Sequence, residues 1–180
     1  AWMAAAALSP PDSDVLARLT ERGTVRVRLN ISSEMHDEAP SGNVIGEVRG
    51  RSKPNEIVLV AAHLDSWDLG QGAIDDGAGD AIIVAAARLI NALPRHPKRT
   101  IRVLLAGSEE IGGNGGEAYA VAHRNDTHII VGESDLGADS IWRVRTFFGA
   151  NAMPYARAIQ GALAPLAIIP GDNGAIPGTD

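Results

Sequence analysis

Two stretches, EIVLVAA (56–62) and TIRVLLA (100–106), limit the possible folds more than any other feature of the chain. Each is apolar on nearly consecutive positions, which fits a strand buried on both faces rather than one with a wet side. Between them, residues 79–93 carry an alanine-rich helical pattern closed off by Pro94 and Pro97. Strand, helix and strand in that order argue for an α/β fold around a largely parallel sheet with both faces covered.

The flanks extend the pattern. Ser9-Pro-Pro-Asp12 predicts a helix N-terminus, with the helix running to about Glu21 and stopping at Gly23. TVRVRLNI (24–31) alternates at period 2 and predicts a strand with one wet face. SSEMHDEAPSG reads as a loop, NVIGEVRG (43–50) as a strand, and residues 51–55 as a turn. Residues 112–123 predict a glycine-rich entry and a helix, 128–131 a strand, 141–148 one more strand and 153–163 a last helix. Without an internal repeat or a linker, 1–180 is taken as a single catalytic domain.

Composition narrows the chemistry. The net charge is −6, with basic residues scattered, so nucleic acid and acidic membrane surfaces are not expected partners. There are no cysteines, so disulfides, thiolate metal sites and a cysteine nucleophile are excluded. No apolar run approaches the ~20 residues that cross a bilayer, and the apolar start AWMAAAAL does not read as a signal peptide.

Acids then collect where the strands end. His63 and Asp65 with Asp75-Asp76, Glu109-Glu110, and Glu133 with Asp135 each follow an apolar strand. In a parallel sheet those ends share one edge, where ligands bind. So many carboxylates repel one another unless they take up protons or share a cation. Imidazole with carboxylates is a donor set suited to zinc. His63 and Asp65, two apart on a strand, face one side, so the acid is expected to orient the imidazole. Glu109 and Glu110 diverge on extended backbone, so one can hold a metal while the other serves as general base. Taken singly, these features read as a surface histidine, a turn and a solvated pair; their conjunction at three strand ends raises the metal reading.

HLDSWDLGQGAIDDGAG (63–79), SEEIGGNG (108–115) and ESDLG (133–137), in this order, resemble the zinc-dependent aminopeptidase and glutamate carboxypeptidase family, most strongly its plasma glutamate carboxypeptidase (carboxypeptidase Q) subgroup. The likeness runs from about Leu8 to Gly149. It implies a three-layer α/β/α sandwich and a site for two zinc ions. His63 and Asp135 would bind one ion, Asp75 would bridge both, Glu110 would bind the second, and Glu109 would be the general base. It also implies a cis peptide at Asp75–Asp76, a peptide substrate and an extracellular or periplasmic setting, and it leaves a homodimer open.

One feature departs from the family. Its last histidine ligand comes from a motif near the end of the domain, and none of the five histidines here lies beyond His128. The turn-rich tail PGDNGAIPGTD is therefore expected to stop short of the family's last elements, with the second zinc site weak. His123 or His128 could replace the missing ligand only if the fold brought them to the same edge. The expected function is hydrolysis of short peptides or dipeptides. A non-catalytic binding or dimerisation module, and a glutaminyl-cyclase-like enzyme with one zinc, are the other readings.

Overall fold

The computed structural model describes residues 5–32, 34, 36–137 and 139–175. The first residues of the apolar start, two positions of the 32–42 loop and the end of the tail lie outside the described residues. The chain divides into two compact units, Ala1–Pro40 and Ser41–Asp180.

The first unit holds one helix, α1 (Pro10–Thr20). Its Ser9 cap oxygen accepts from the Asp12 amide at 3.3 Å, and the two prolines occupy the first turn, where no N–H is missed. Residues 24–31 form no strand, contrary to the alternation. A strand exists through its ladder, and no described residue pairs with this one. Val27, Leu29 and Ile31 are all exposed.

In the second unit, β1 (Val44–Val48), β2 (Lys53–His63), β3 (Arg99–Ala106) and β4 (Thr127–Glu133) form a sheet in the order β1-β3-β2-β4. β2 pairs in parallel with β3 and β4, and β1 runs antiparallel to β3, which makes the sheet mixed. β2 begins at Lys53, inside the expected turn, and its pairing with β3 shifts register between Lys53 and Ile57. Pro54 in that irregular part has no N–H to give; its carbonyl accepts from Thr100 Oγ1 at 2.8 Å.

The two crossovers leave β2 and β3 in opposite directions, so right-handed connections place their helices on opposite faces. α2 (Gly77–Asn91) covers one face, where Ile83 packs with Ala62 and Val103. α3 (Asn114–Ala122) lies on the other, where Tyr119 joins Ile57, Leu59, Ala61, Leu104 and Ala106. The consecutive apolar run of β2 thus feeds two cores by alternation. The mixed sheet with flanking helices is the expected fold class.

Arg102 interrupts the apolar run of β3 and is largely buried. Its guanidinium donates to Glu47 at 2.7 Å, Asp126 at 2.7 Å and the Tyr119 hydroxyl at 2.9 Å, tying β1, β3, α3 and the turn before β4 together. Toward the C-terminus, the strand expected over 141–148 shrinks to β5 (Arg143–Val144), paired with β6 (Ile169–Pro170). At Phe148 the Asn173 side chain takes both backbone groups, at 2.9 and 2.8 Å, in place of a neighbouring strand. Between them α4 spans Met153–Leu163, as the pattern predicts.

Candidate metal centre

Parallel pairing brings three strand ends together. His63 sits opposite Ala106, Ala61 sits opposite Glu133, and the Ser134 amide donates to the Ala61 carbonyl at 2.9 Å. The His63 imidazole is 1% exposed. Its Nε2 faces Asp75 Oδ1 at 3.1 Å, Asp135 Oδ1 at 3.6 Å and Glu109 Oε2 at 4.0 Å. The sequence reading placed Asp75, Glu109, Glu110 and Asp135 at one edge with His63, and the structure gathers all of them there. The Asp75–Asp76 peptide is cis, as the resemblance implies.

Asp65 differs from its expected role. Its backbone carbonyl, not its carboxylate, accepts from His63 Nδ1, at 2.9 Å. The carboxylate lies 3.8 Å from that nitrogen and instead accepts the Glu109 amide at 2.9 Å and the Glu110 amide at 3.2 Å. Ser108, with φ of 58°, turns the chain after β3 so that these two amides point back at Asp65. The imidazole is still oriented: with its proton on Nδ1, the bare Nε2 is aimed at the acids.

Asp76 belongs to the acidic cluster read from the sequence, which gave it no task of its own. It is buried and caps α2, with Oδ1 accepting from the Gly79 amide at 3.1 Å and Oδ2 from the His63 amide at 3.0 Å. An aspartate directly before an apolar helical run is the N-cap signal that points to this use. Replacing it (Asp76→Ala) leaves two buried amides without an acceptor, at roughly 1–3 kcal/mol each. Urea unfolding should show a lowered midpoint with an unchanged m value, a loss of about 2–6 kcal/mol of stability.

The electrostatics match this crowding. Burial pulls the His63 imidazole down, but the Asp65 carbonyl and the Asp76, Asp135 and Glu109 carboxylates outweigh it, and its pKa ends above the ordinary value. Burial, reinforced by neighbouring acids, pushes Asp76, Asp80, Glu109 and Glu110 upward. Among the described residues, every arginine or lysine ion pair lies elsewhere, on Glu47, Glu56, Asp126 and Asp172.

Among the described residues, two sets of donor atoms lie within 4.8 Å of one another: His63, Asp75 and Glu110, and His63, Asp76 and Asp135. Asp76 is already engaged by two amides, so His63 and Asp135 are the open donors of the second set. Glu110 Oε1 and Asp135 Oδ1 are buried with no hydrogen-bond partner among the described residues. Orphaned carboxylate oxygens beside a bare imidazole nitrogen fit a divalent cation. His123 and His128 do not join them: His123 bonds Asp126 at 2.9 Å and His128 bonds the Tyr119 hydroxyl at 2.8 Å.

Comparison with known proteins identifies the family and the fold. The sequence pattern of peptidase family M28 matches residues 43–156. Carboxypeptidase Q of Bos taurus is 40% identical over 135 residues, which make up 73% of this chain and 29% of that protein. The crystal structure of a peptidase M28 precursor from Shewanella amazonensis superposes with a TM-score of 0.76 at 42% identity, covering 93% of this chain and 39% of that one. A zinc aminopeptidase from Bacillus subtilis shares the fold, with a TM-score of 0.54 at 20% identity over 72% of this chain and 39% of its own. The chain therefore spans less than a third of the carboxypeptidase Q it matches. A family pattern laid over most of the sequence, including every strand end that carries an acid, decides the matter: the chain belongs to peptidase family M28.

Proposed function

We propose that the chain is the metal-binding core of a zinc exopeptidase that hydrolyses peptide bonds in short peptides or dipeptides. The observation that carries this reading is the pair of orphaned oxygens on Glu110 and Asp135, gathered with Asp75 around His63 where, among the described residues, no arginine or lysine forms an ion pair. His63, Asp75 and Asp135 would hold one zinc, and Asp75 with Glu110 a second. When bound, zinc supplies a Lewis acid that polarises the scissile carbonyl and makes water a better nucleophile. Glu109 is in neither donor set and is half exposed, free to take the proton of the attacking water and pass it to the leaving amine. Asp65 fixes the backbone of that residue. A setting outside the cytoplasm fits the precursor form of the Shewanella relative.

The test is metal analysis of the dialysed protein, followed by assays of the whole protein on dipeptides and on amino-terminal glutamine. Zinc that survives dialysis and leaves with a chelator, together with dipeptide cleavage, is the expected result. Cyclisation of glutamine without cleavage would move the assignment to an acyl-transfer enzyme. Protein that retains no zinc would leave a binding module.

A further inference from the structure

The turn that carries Glu109 and Glu110 is held from within and from one side. Gly112 and Gly113 donate their amides to the Glu109 carbonyl at 3.0 and 2.8 Å, and Asn114 donates to Ser108 at 3.0 Å. From below, the Asp65 carboxylate takes the two glutamate amides. What remains are the two ends of the turn, Gly107 and Gly115. The β1–β3 ladder has its last rung at Val44 and Leu105, so it stops short of Gly107.

Asn43, half-buried just before β1, closes both ends. Its Oδ1 accepts the Gly107 amide at 3.0 Å and its Nδ2 donates to the Gly115 carbonyl at 2.8 Å. A side chain with one donor and one acceptor on the same planar group is what bridging an N–H and a C=O requires. The contact is close. A Cβ on Gly115 would strike the Gly107 carbonyl and come within 2.5 Å of Asn43 Oδ1, and a Cβ on Gly107 would come within 2.7 Å of the Gly42 carbonyl. Both glycines thus leave room for the segment that brings Asn43 in.

We propose that Asn43 is a positioning residue for Glu109 and Glu110, acting through the backbone of residues 107–115. It touches neither carboxylate. It sets the distance between the end of β3 and the start of α3, and so fixes where the turn between them places its side chains. The proposal rests on the reading of Glu109 as the base, but its first test needs neither metal nor substrate.

Asn43→Ala, Asn43→Asp and a control in the strand that follows, Gly46→Ala, whose added methyl meets open space, are compared with the parent. In the metal-free chain, hydrogen exchange of the 107–115 amides should quicken roughly tenfold or more in Asn43→Ala, while β2 and β3 stay protected. Asn43→Asp keeps the acceptor for Gly107 and loses the donor for Gly115, so it should fall between. In the whole protein with zinc bound, kcat should fall about 10–100-fold with KM within about twofold, as for residues that orient ligands from behind. Unchanged exchange in the turn, or faster exchange spread over the whole sheet with kcat per folded molecule intact, overturns the proposal. A parent protein without zinc or peptidase activity would sink the function proposed above, and the exchange data would still decide whether Asn43 clamps the turn.

Discussion

Glu109→Gln is expected to lower kcat by about 10²–10⁴-fold in the whole protein while zinc stays bound. The substitution keeps shape and leaves the Glu109 amide on Asp65, so the turn should hold its form. What disappears is the ability to take a proton. The carboxylate stands 4.0 Å from His63 Nε2, outside both donor sets, with 42% of its side chain open to water and substrate. Burial raises its pKa, which brings it closer to the pH at which a base must work. Glu110→Gln should behave differently, weakening metal retention first and losing turnover as a result. Steady-state kinetics paired with metal analysis on both variants checks this. Full turnover in zinc-loaded Glu109→Gln would remove the base from Glu109.

The second large effect is on stability. In the metal-free chain, Asp76, Asp80, Glu109 and Glu110 have pKa values raised in the folded state, chiefly by burial, and that of His63 is raised by its acidic neighbours despite burial. A raised carboxyl means that the folded chain holds a proton the unfolded chain releases. Its destabilising effect therefore grows as pH climbs from the ordinary carboxylate value through the raised one. The raised histidine contributes stability below its ordinary value and loses it as pH rises through the folded value. Both signs agree: without metal, the cluster favours folding less at pH ~8 than at pH ~5. Glu56, Asp126 and Asp172 shift the opposite way, held down by Lys53 and Arg99, by Arg102 and His123, and by Arg145 respectively. They act below the ordinary carboxylate range, so a comparison above pH ~5 is largely free of them.

Zinc should invert the trend. Saturating metal at about a thousand times its dissociation constant adds ~4 kcal/mol. Because binding displaces protons, that gain increases with pH. Thermal unfolding at pH ~5.5 and ~7.5, with chelator and with zinc, should show the metal-free melting temperature falling and the zinc-induced rise widening. A zinc effect that is absent, or the same at both pH values, would mean that these carboxylates do not share an ion.

Much of this architecture could be read from residues alone, because local patterns determined it. The doubly apolar runs at 56–62 and 100–106 became the inner strands, and the helical period at 153–163 became α4 with the same bounds. Parallel pairing brought together the strand ends at His63, Ala106 and Glu133, from which the loops carry Asp75, Glu109, Glu110 and Asp135. What escaped depends on partners far away in sequence. Residues 24–31 have the alternation of a strand but pair with no described residue. Asp65 faces His63 as its spacing demands, yet its carboxylate is drawn off by amides 44 and 45 residues along the chain. Asn43 reads only as the first residue of an expected strand until β1 docks antiparallel beside β3 and brings it to groups 64 and 72 residues away.

The uneven ladder of β2 has a consequence for how this strand tolerates change in length. Its pairing slips between Lys53 and Ile57 on one side and between Ile57 and Val58 on the other, and is regular from there to its end. An extra residue before Ile57 enters where the spacing is already loose. The same insertion between Val58 and His63 would swap the floors of the two cores and swing the imidazole to the opposite side of the sheet. Length is negotiable at one end of the strand and fixed at the other, so the packing that folds the sheet also aims the histidine.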